Sequence, residues 1–179
     1  MNQEIGSEPN KWQRITDEQW IAFFGPNASY FMRQVERIRS GERPEFLFEG
    51  FFLGLTWMLY RKMYLVAFCT LMLILMESTI EEGLYMLFDA GYGTQRWIGI
   101  VLSLGMASIQ GTFANQVYLW YAEQKISGEI DGKAVHLPEV LLARIASRGG
   151  TSWYFILILI GFFGLALVAA NIIDLLQAF

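Results

Sequence analysis

Residues 46–64 read FLFEGFFLGLTWMLYRKMY, and the fold turns on whether this stretch crosses a membrane. Between Glu49 and Arg61 lie eleven uncharged residues, Gly50 to Tyr60. As a helix they cover about 17 Å, well short of a hydrocarbon core of roughly 30 Å. The neighbouring runs are longer. Met63 to Met76 carries no charge and continues to Glu77, Glu81 and Glu82. Trp97 to Ala122 is uncharged for twenty-six residues and Trp153 to Ile173 for twenty-one. The later part of the 97–122 run holds Gln110, Thr112, Asn115 and Gln116, so that end is expected to be wet.

The basic residues choose between topologies, because Lys and Arg near span ends collect on the cytoplasmic side. Spans at 63–83, 97–119 and 153–174, with the N-terminus inside, leave only Arg96 outside, so twelve of thirteen Lys and Arg obey the rule. Making 46–60 a full span changes the split to seven against six. The expected fold is therefore an all-α integral membrane protein with three transmembrane helices. Residues 1–45 form a cytoplasmic or interfacial amphipathic hairpin, and 46–179 form the membrane domain. Within that domain, 46–62 is a half-inserted, interfacial or re-entrant helix, and 120–152 is a cytoplasmic loop. A hydrophobic fraction of 54% agrees with this class. The net charge of −4 gives no reason to expect nucleic acid. MNQEIGSEPNKWQR at the N-terminus is polar, and no secretory signal is expected there.

In the hairpin, Thr16-Asp17-Glu18-Gln19 is a capping box, followed by the apolar face of Trp20, Phe23 and Phe24. Gly25-Pro26 ends that helix, and Asn27 is the expected cap of the next, whose Phe31, Val35 and Ile38 share a face. In the loop, Ser127-Gly128 and Asp131-Gly132 read as turns. Pro138 opens a short helix whose Val140, Leu141 and Ile145 either lie on lipid or pack on the hairpin.

Gly99, Ser103, Ala107, Gly111 and Asn115 recur at every fourth position, lining one helix face with small side chains that permit close helix approach. Gly50 and Gly54 repeat the spacing, as do Ala166 and Ala170. This pattern points to helix interfaces, within the chain or with another subunit. Glu77, Gln110 and Asn115 are the candidates for a polar path, because polar groups at membrane depth need partners. Arg61, Lys62, Arg144 and Arg148 are the expected lipid-headgroup contacts. Gly149-Gly150-Thr151-Ser152 caps the last helix or offers bare amides to an anion. One cysteine (Cys69) and one histidine (His136) leave no metal site to expect, no cofactor is predicted, and no catalytic motif is present. The expected role is a non-enzymatic accessory or scaffold subunit, its partners membrane lipid and other membrane subunits or itself. A small-solute or ion transporter component is the alternative.

Asn27-Ala28-Ser29-Tyr30, the Phe-rich run into Trp57-Met58-Leu59-Tyr60-Arg61-Lys62-Met63-Tyr64, the Ala114-Asn115 pair before Tyr118, and Gly149-Gly150-Thr151-Ser152-Trp153 occur in that order. Together they resemble the bacterial membrane proteins grouped as domain of unknown function 2628. The resemblance covers roughly 18–160 and implies a bacterial inner-membrane protein, without implying an activity or catalytic residues. One departure is the Gly54-Leu55-Thr56 that stands where the family tends to carry Gly-Pro, which predicts a straighter helix over 50–60.

Overall fold

The computed structural model describes residues 11–87, 91–132, 137–154, 156–158, 160–161 and 164–165, and among these every regular element is a helix. Short α1 (Lys11–Arg14) leads into α2 (Asp17–Phe24), and a 3-10 turn (Gly25–Asn27) joins α2 to α3 (Ala28–Arg39). Then follow α4 (Phe48–Tyr60), α5 (Tyr64–Leu87), α6 (Tyr92–Ile130) and α7 (Pro138–Arg148). The predicted span 153–174 falls largely outside the described residues, as do Ala166, Ala170 and His136.

The capping box forms as its residues dictate. Gln19 N–H donates to Thr16 Oγ1 at 3.4 Å, and Thr16 N–H donates to Gln19 Oε1 at 3.0 Å. Gly25 makes the corner at a φ of 61°, open to glycine without strain. Asn27 stands at the N-cap of α3 but makes no capping bond; its side chain lines a cavity instead.

Aromatic rings carry the packing from the hairpin into the rest of the chain. Trp12 stacks on Trp20 at 5.6 Å, Trp20 on Phe24 at 5.5 Å, and Phe24 meets Phe31 at 5.1 Å. Phe31 meets Tyr118 of α6 at 4.7 Å, and Tyr118 meets Trp57 of α4 at 5.6 Å. Tyr118 is fully buried where α2, α3, α4 and α6 converge.

The 39 residues of α6 extend about 58 Å, nearly twice a hydrocarbon thickness. The predicted span 97–119 is thus the middle of a longer rod. Ser127-Gly128, expected as a turn, continues the helix, with Ser127 Oγ donating back to Glu123 Oε1 at 3.1 Å. Leu119, Ala122 and Ile126 on this extension are buried.

Of the two homes expected for α7, the structure shows packing on the hairpin: Ile145 is buried and α7 lies against α2 and α6. The following turn is tied down by backbone bonds, Gly150 N–H to Phe23 O and Ser152 N–H to Tyr60 O, both 2.8 Å. Gly149 presses on the Phe23 carbonyl so closely that a Cβ has no room.

The decisive segment bends. Inside α4, Gly54 has φ 40° and ψ −110°, a conformation that breaks the helix into two halves. The absence of proline therefore does not straighten it; glycine alone permits the kink. The two ends return to one level of α6. Asn115 Nδ2 donates to Glu45 O at 2.8 Å, and Tyr121 Oη donates to Lys62 O at 2.9 Å. Asn115 and Tyr121 are about 9 Å apart along α6, whereas a straight helix from 45 to 62 would need roughly 25 Å. Both ends of the segment therefore lie beside the same stretch of α6.

α5 and α6 are long and apolar enough to cross a membrane, and only 11% of each apolar window is buried within the chain. Far from the hairpin, the Tyr85 hydroxyl lies between the Glu81 carboxylate and the Gln95 carbonyl, tying the two helices together.

Two glycines separate packing from propensity. Gly149→Ala is expected to lower stability by about 2 kcal/mol, since backbone must move to admit the methyl group. Gly128→Ala, in open space within α6, is expected to raise it by up to about 1 kcal/mol. Thermal unfolding in one detergent compares them, and equal shifts would contradict the packing described.

Candidate functional site

The small-residue face of α6 divides into a filled part and an open part. At its filled end, Leu47 N–H donates to Gly111 O at 2.8 Å, with the Phe46 ring and Phe51 pressed on Gly111. Gly50 lies so near α6 that a Cβ there would come within 2.6 Å of Ala114 Cβ. Gly54 faces the Gln110 side chain. Beyond Gly111 the face opens. Ser103 and Ala107 line a cleft of about 650 Å³, walled by Phe51, Ile100 and Leu104; at its far end Gly99 is already covered by α5, where a Cβ would come within 2.5 Å of Glu81 Oε1 and 3.3 Å of the Tyr85 hydroxyl. The predicted stripe thus serves α4 over one half and lines a groove over the other.

The candidate polar path does not assemble. Asn115 Nδ2 donates to Tyr30 Oη at 2.7 Å and to Glu45 O, so the side chain locks α3 and the start of the 46–62 segment onto α6. Burial raises the Tyr30 hydroxyl above its ordinary pKa, partly offset by the bond from Asn115, so Tyr30 stays neutral at physiological pH. Gln110 lies over Gly54 and lines a separate apolar cavity beside Met106 and Phe113. Glu77, on α5, has one buried carboxylate oxygen without a partner and lines none of these cavities. Among the described residues, no group of acidic, Cys or His side chains forms a metal-binding cluster.

The four basic residues separate as well. Lys62, at a φ of 60°, donates its ammonium to Gly149 O at 2.7 Å and to Ser147 O at 3.3 Å. That fixes the turn after α7, whose amides already have acceptors: Gly149 N–H reaches Ile145 O, beside the two bonds above. The Gly149-Gly150-Thr151-Ser152 run is therefore a structural corner with Gly149, Gly150 and Ser152 amides engaged. Arg144 is exposed, and Arg148 pairs with Glu129 at 3.0 Å on the surface.

Arg61 is the outlier, with only 5% of its surface exposed. Its guanidinium lies 4.6 Å from the Phe31 ring centroid and 5.2 Å from that of Tyr118. Nε and Nη1 are buried without aligned hydrogen bonds, and the guanidinium acts through its charge on the buried Tyr118 hydroxyl beside it. No carboxylate among the described residues pairs with Arg61. A second buried ionisable group, Glu123, accepts from Gln124 Nε2 at 3.0 Å and from Ser127. The sequence pointed to Arg61 only as an interfacial cation. Its signal for burial was the company it keeps, with Trp57 one turn earlier and Tyr60 adjacent.

A family model described as "Protein of unknown function (DUF2628)" matches residues 3–124, and the chain belongs to that family. The matched region contains the hairpin, α4, α5 and the part of α6 that carries Asn115 and Tyr118. No curated protein and no solved structure matches the chain.

Asn115 is the polar lock of this arrangement, and its two bonds are separable. Asn115→Leu is expected to cost about 2 kcal/mol, at roughly 1 kcal/mol net per bond. Tyr30→Phe is expected to cost about half of that. In a double-mutant cycle on thermal stability, the Tyr30 change should add little once Asn115 is gone. Full additivity would show that the two groups do not interact.

Proposed function

We propose that this DUF2628 protein is a non-enzymatic, multi-pass protein of the bacterial inner membrane. Its N-terminus and α7 lie on the cytoplasmic side, and it acts as an accessory or scaffold subunit. The observation that carries the reading is the open stretch of the α6 face between the α4 contact at Gly111 and the α5 contact at Gly99, where Ser103 and Ala107 line a groove that another membrane helix could enter. Between helices in lipid, close packing at small residues supplies the attraction that hydrophobicity cannot. The chain itself illustrates this, since α4 packs on Gly111 and Ala114 with Gly50 as its contact.

Three observations support the membrane setting. A soluble core helix buries its apolar side chains, whereas Leu65, Phe68, Leu73 and Met76 of α5 and Val101 and Leu104 of α6 are exposed. Hydroxyls on these helices turn back to their own backbone: Ser78 to Ile74 O at 3.1 Å, Thr79 to Leu75 O at 3.0 Å, and Ser108 to Leu104 O at 2.7 Å. Such bonds satisfy polar groups where no water is at hand. In the topology proposed here, with 46–62 returning to its starting side, twelve of thirteen Lys and Arg would lie on one face, which agrees with that setting.

A transporter reading would need Glu77, Gln110 and Asn115 to converge on one cavity, and the described residues hold them apart. The groove therefore takes precedence. Purification of the tagged protein at native expression level in mild detergent, with mass determination, is expected to yield a stoichiometric complex larger than the single chain. Ser103→Leu and Ala107→Leu should fill the groove and cut the bound partner by roughly tenfold, a loss near 1.4 kcal/mol. A single chain alone, or a complex indifferent to both substitutions, would refute the scaffold reading.

A further inference from the structure

Arg61 presents an imbalance that the folded chain leaves open. Guanidinium stays charged in proteins, so it does not escape burial by losing a proton. Removing an ion from water is costly even after relaxation. The faces of Phe31 and Tyr118 return only part of that cost. No carboxylate among the described residues pairs with the guanidinium, so its charge lacks an anion among them.

The surroundings show what shape that anion has. Arg61 lines two adjoining cavities of about 210 and 470 Å³, which share Asn27, Glu49 and Trp57 along their common wall. The smaller is polar, with Tyr30 and Asn27 beside the arginine. The larger runs out between Leu53, Tyr60, Trp153 and Ile156, an apolar and aromatic channel. Glu49, exposed and without an ion pair among the described residues, lines both. A buried cation, an accessible carboxylate nearby and an apolar channel leading away describe a ligand with one anion, one cation and a hydrocarbon part.

We infer that Arg61 and Glu49 form a binding site for a phospholipid with a zwitterionic headgroup, its phosphate on the Arg61 guanidinium and its ammonium on Glu49. The acyl chains leave along Leu53, Tyr60 and Ile156. Arg61 is the last-turn residue that joins α4 to α5, so an occupied site would brace the bent segment against the hairpin. The inference rests on the membrane setting proposed above. It gives α4 a ligand besides its contacts with α6.

The test is native mass spectrometry of the full-length protein, stripped of lipid in detergent. It is then offered a short-chain ethanolamine phospholipid, a glycerol phospholipid of equal chain length, or inorganic phosphate. One ethanolamine lipid per chain is expected to bind about tenfold more tightly than the glycerol lipid, with inorganic phosphate not competing at equal concentration. Inorganic phosphate competing on equal terms would mean a soluble anion is the ligand and would overturn the lipid assignment. Arg61→Gln should abolish the bound lipid. Because that change also touches the core, Glu49→Lys at the exposed rim provides the second arm and is expected to reverse the preference toward the glycerol lipid. Lipid binding unchanged in Glu49→Lys, or no preference in the parent protein, would overturn the inference. Resistance of the same protein to alkaline carbonate extraction separates the two failures: an extracted protein sinks the membrane setting, and a retained one without lipid preference sinks only this site.

Discussion

Two side chains on one helix, Asn115 and Tyr121, hold both ends of the 46–62 segment at one level of α6. Everything else follows from that constraint. With its ends only about 9 Å apart along α6, the segment cannot run on as a straight helix, and Gly54 supplies the bend. α5 therefore begins on the side where the hairpin lies. The helical hairpin, the extension of α6 and α7 then gather into one packed cap around Tyr118. Polar tethers fix where the chain goes, and aromatic packing supplies the stability.

The cap and the two long helices have opposite economies of surface. In the cap, Trp20, Phe24, Phe31, Tyr118 and Ile145 are sealed, and charges such as Arg39 are drawn into bonds with Asp17 and backbone carbonyls. Along α5 and the first half of α6, apolar side chains face outward and the hydroxyls turn inward. A protein standing half in water and half in lipid, as proposed above, would present the two surfaces in this arrangement. In the membrane setting proposed above, Arg61 would stand at the boundary of the two.

The helical class and the short reach of 46–60 were legible because both depend on local quantities, charge spacing and run length. The capping box at Thr16 was legible for the same reason, its two bonds lying within four residues. The kink at Gly54 was not: Gly105, Gly111 and Gly128 sit in unbroken helix although glycine is a poor helix former, so a glycine alone does not mark the bend. The continuation of α6 through Ser127-Gly128 was hidden too, since a Ser-Gly pair reads as a turn until burial of Ile126 outweighs propensity. The stripe of small residues was visible as a stripe, but its division at Gly111 depends on where Phe46 and Phe51 land. The aromatic neighbours Trp57 and Tyr60 hint at the burial of Arg61, but the rings that enclose it, Phe31 and Tyr118, lie far away in the chain.

The central claim is that 46–62 leaves from the side it entered, and labelling single cysteines from either side of the membrane tests it most directly. In a Cys69→Ser background, cysteines replacing Glu42, Glu82 and Asp131, all exposed, would be probed with a membrane-impermeant thiol reagent in intact cells and in inverted vesicles. Positions 42 and 131 are predicted to react only in inverted vesicles and position 82 only in intact cells. Reaction of 42 and 131 from opposite sides would mean that the segment crosses the membrane, and the bent hairpin at the centre of this account would be wrong.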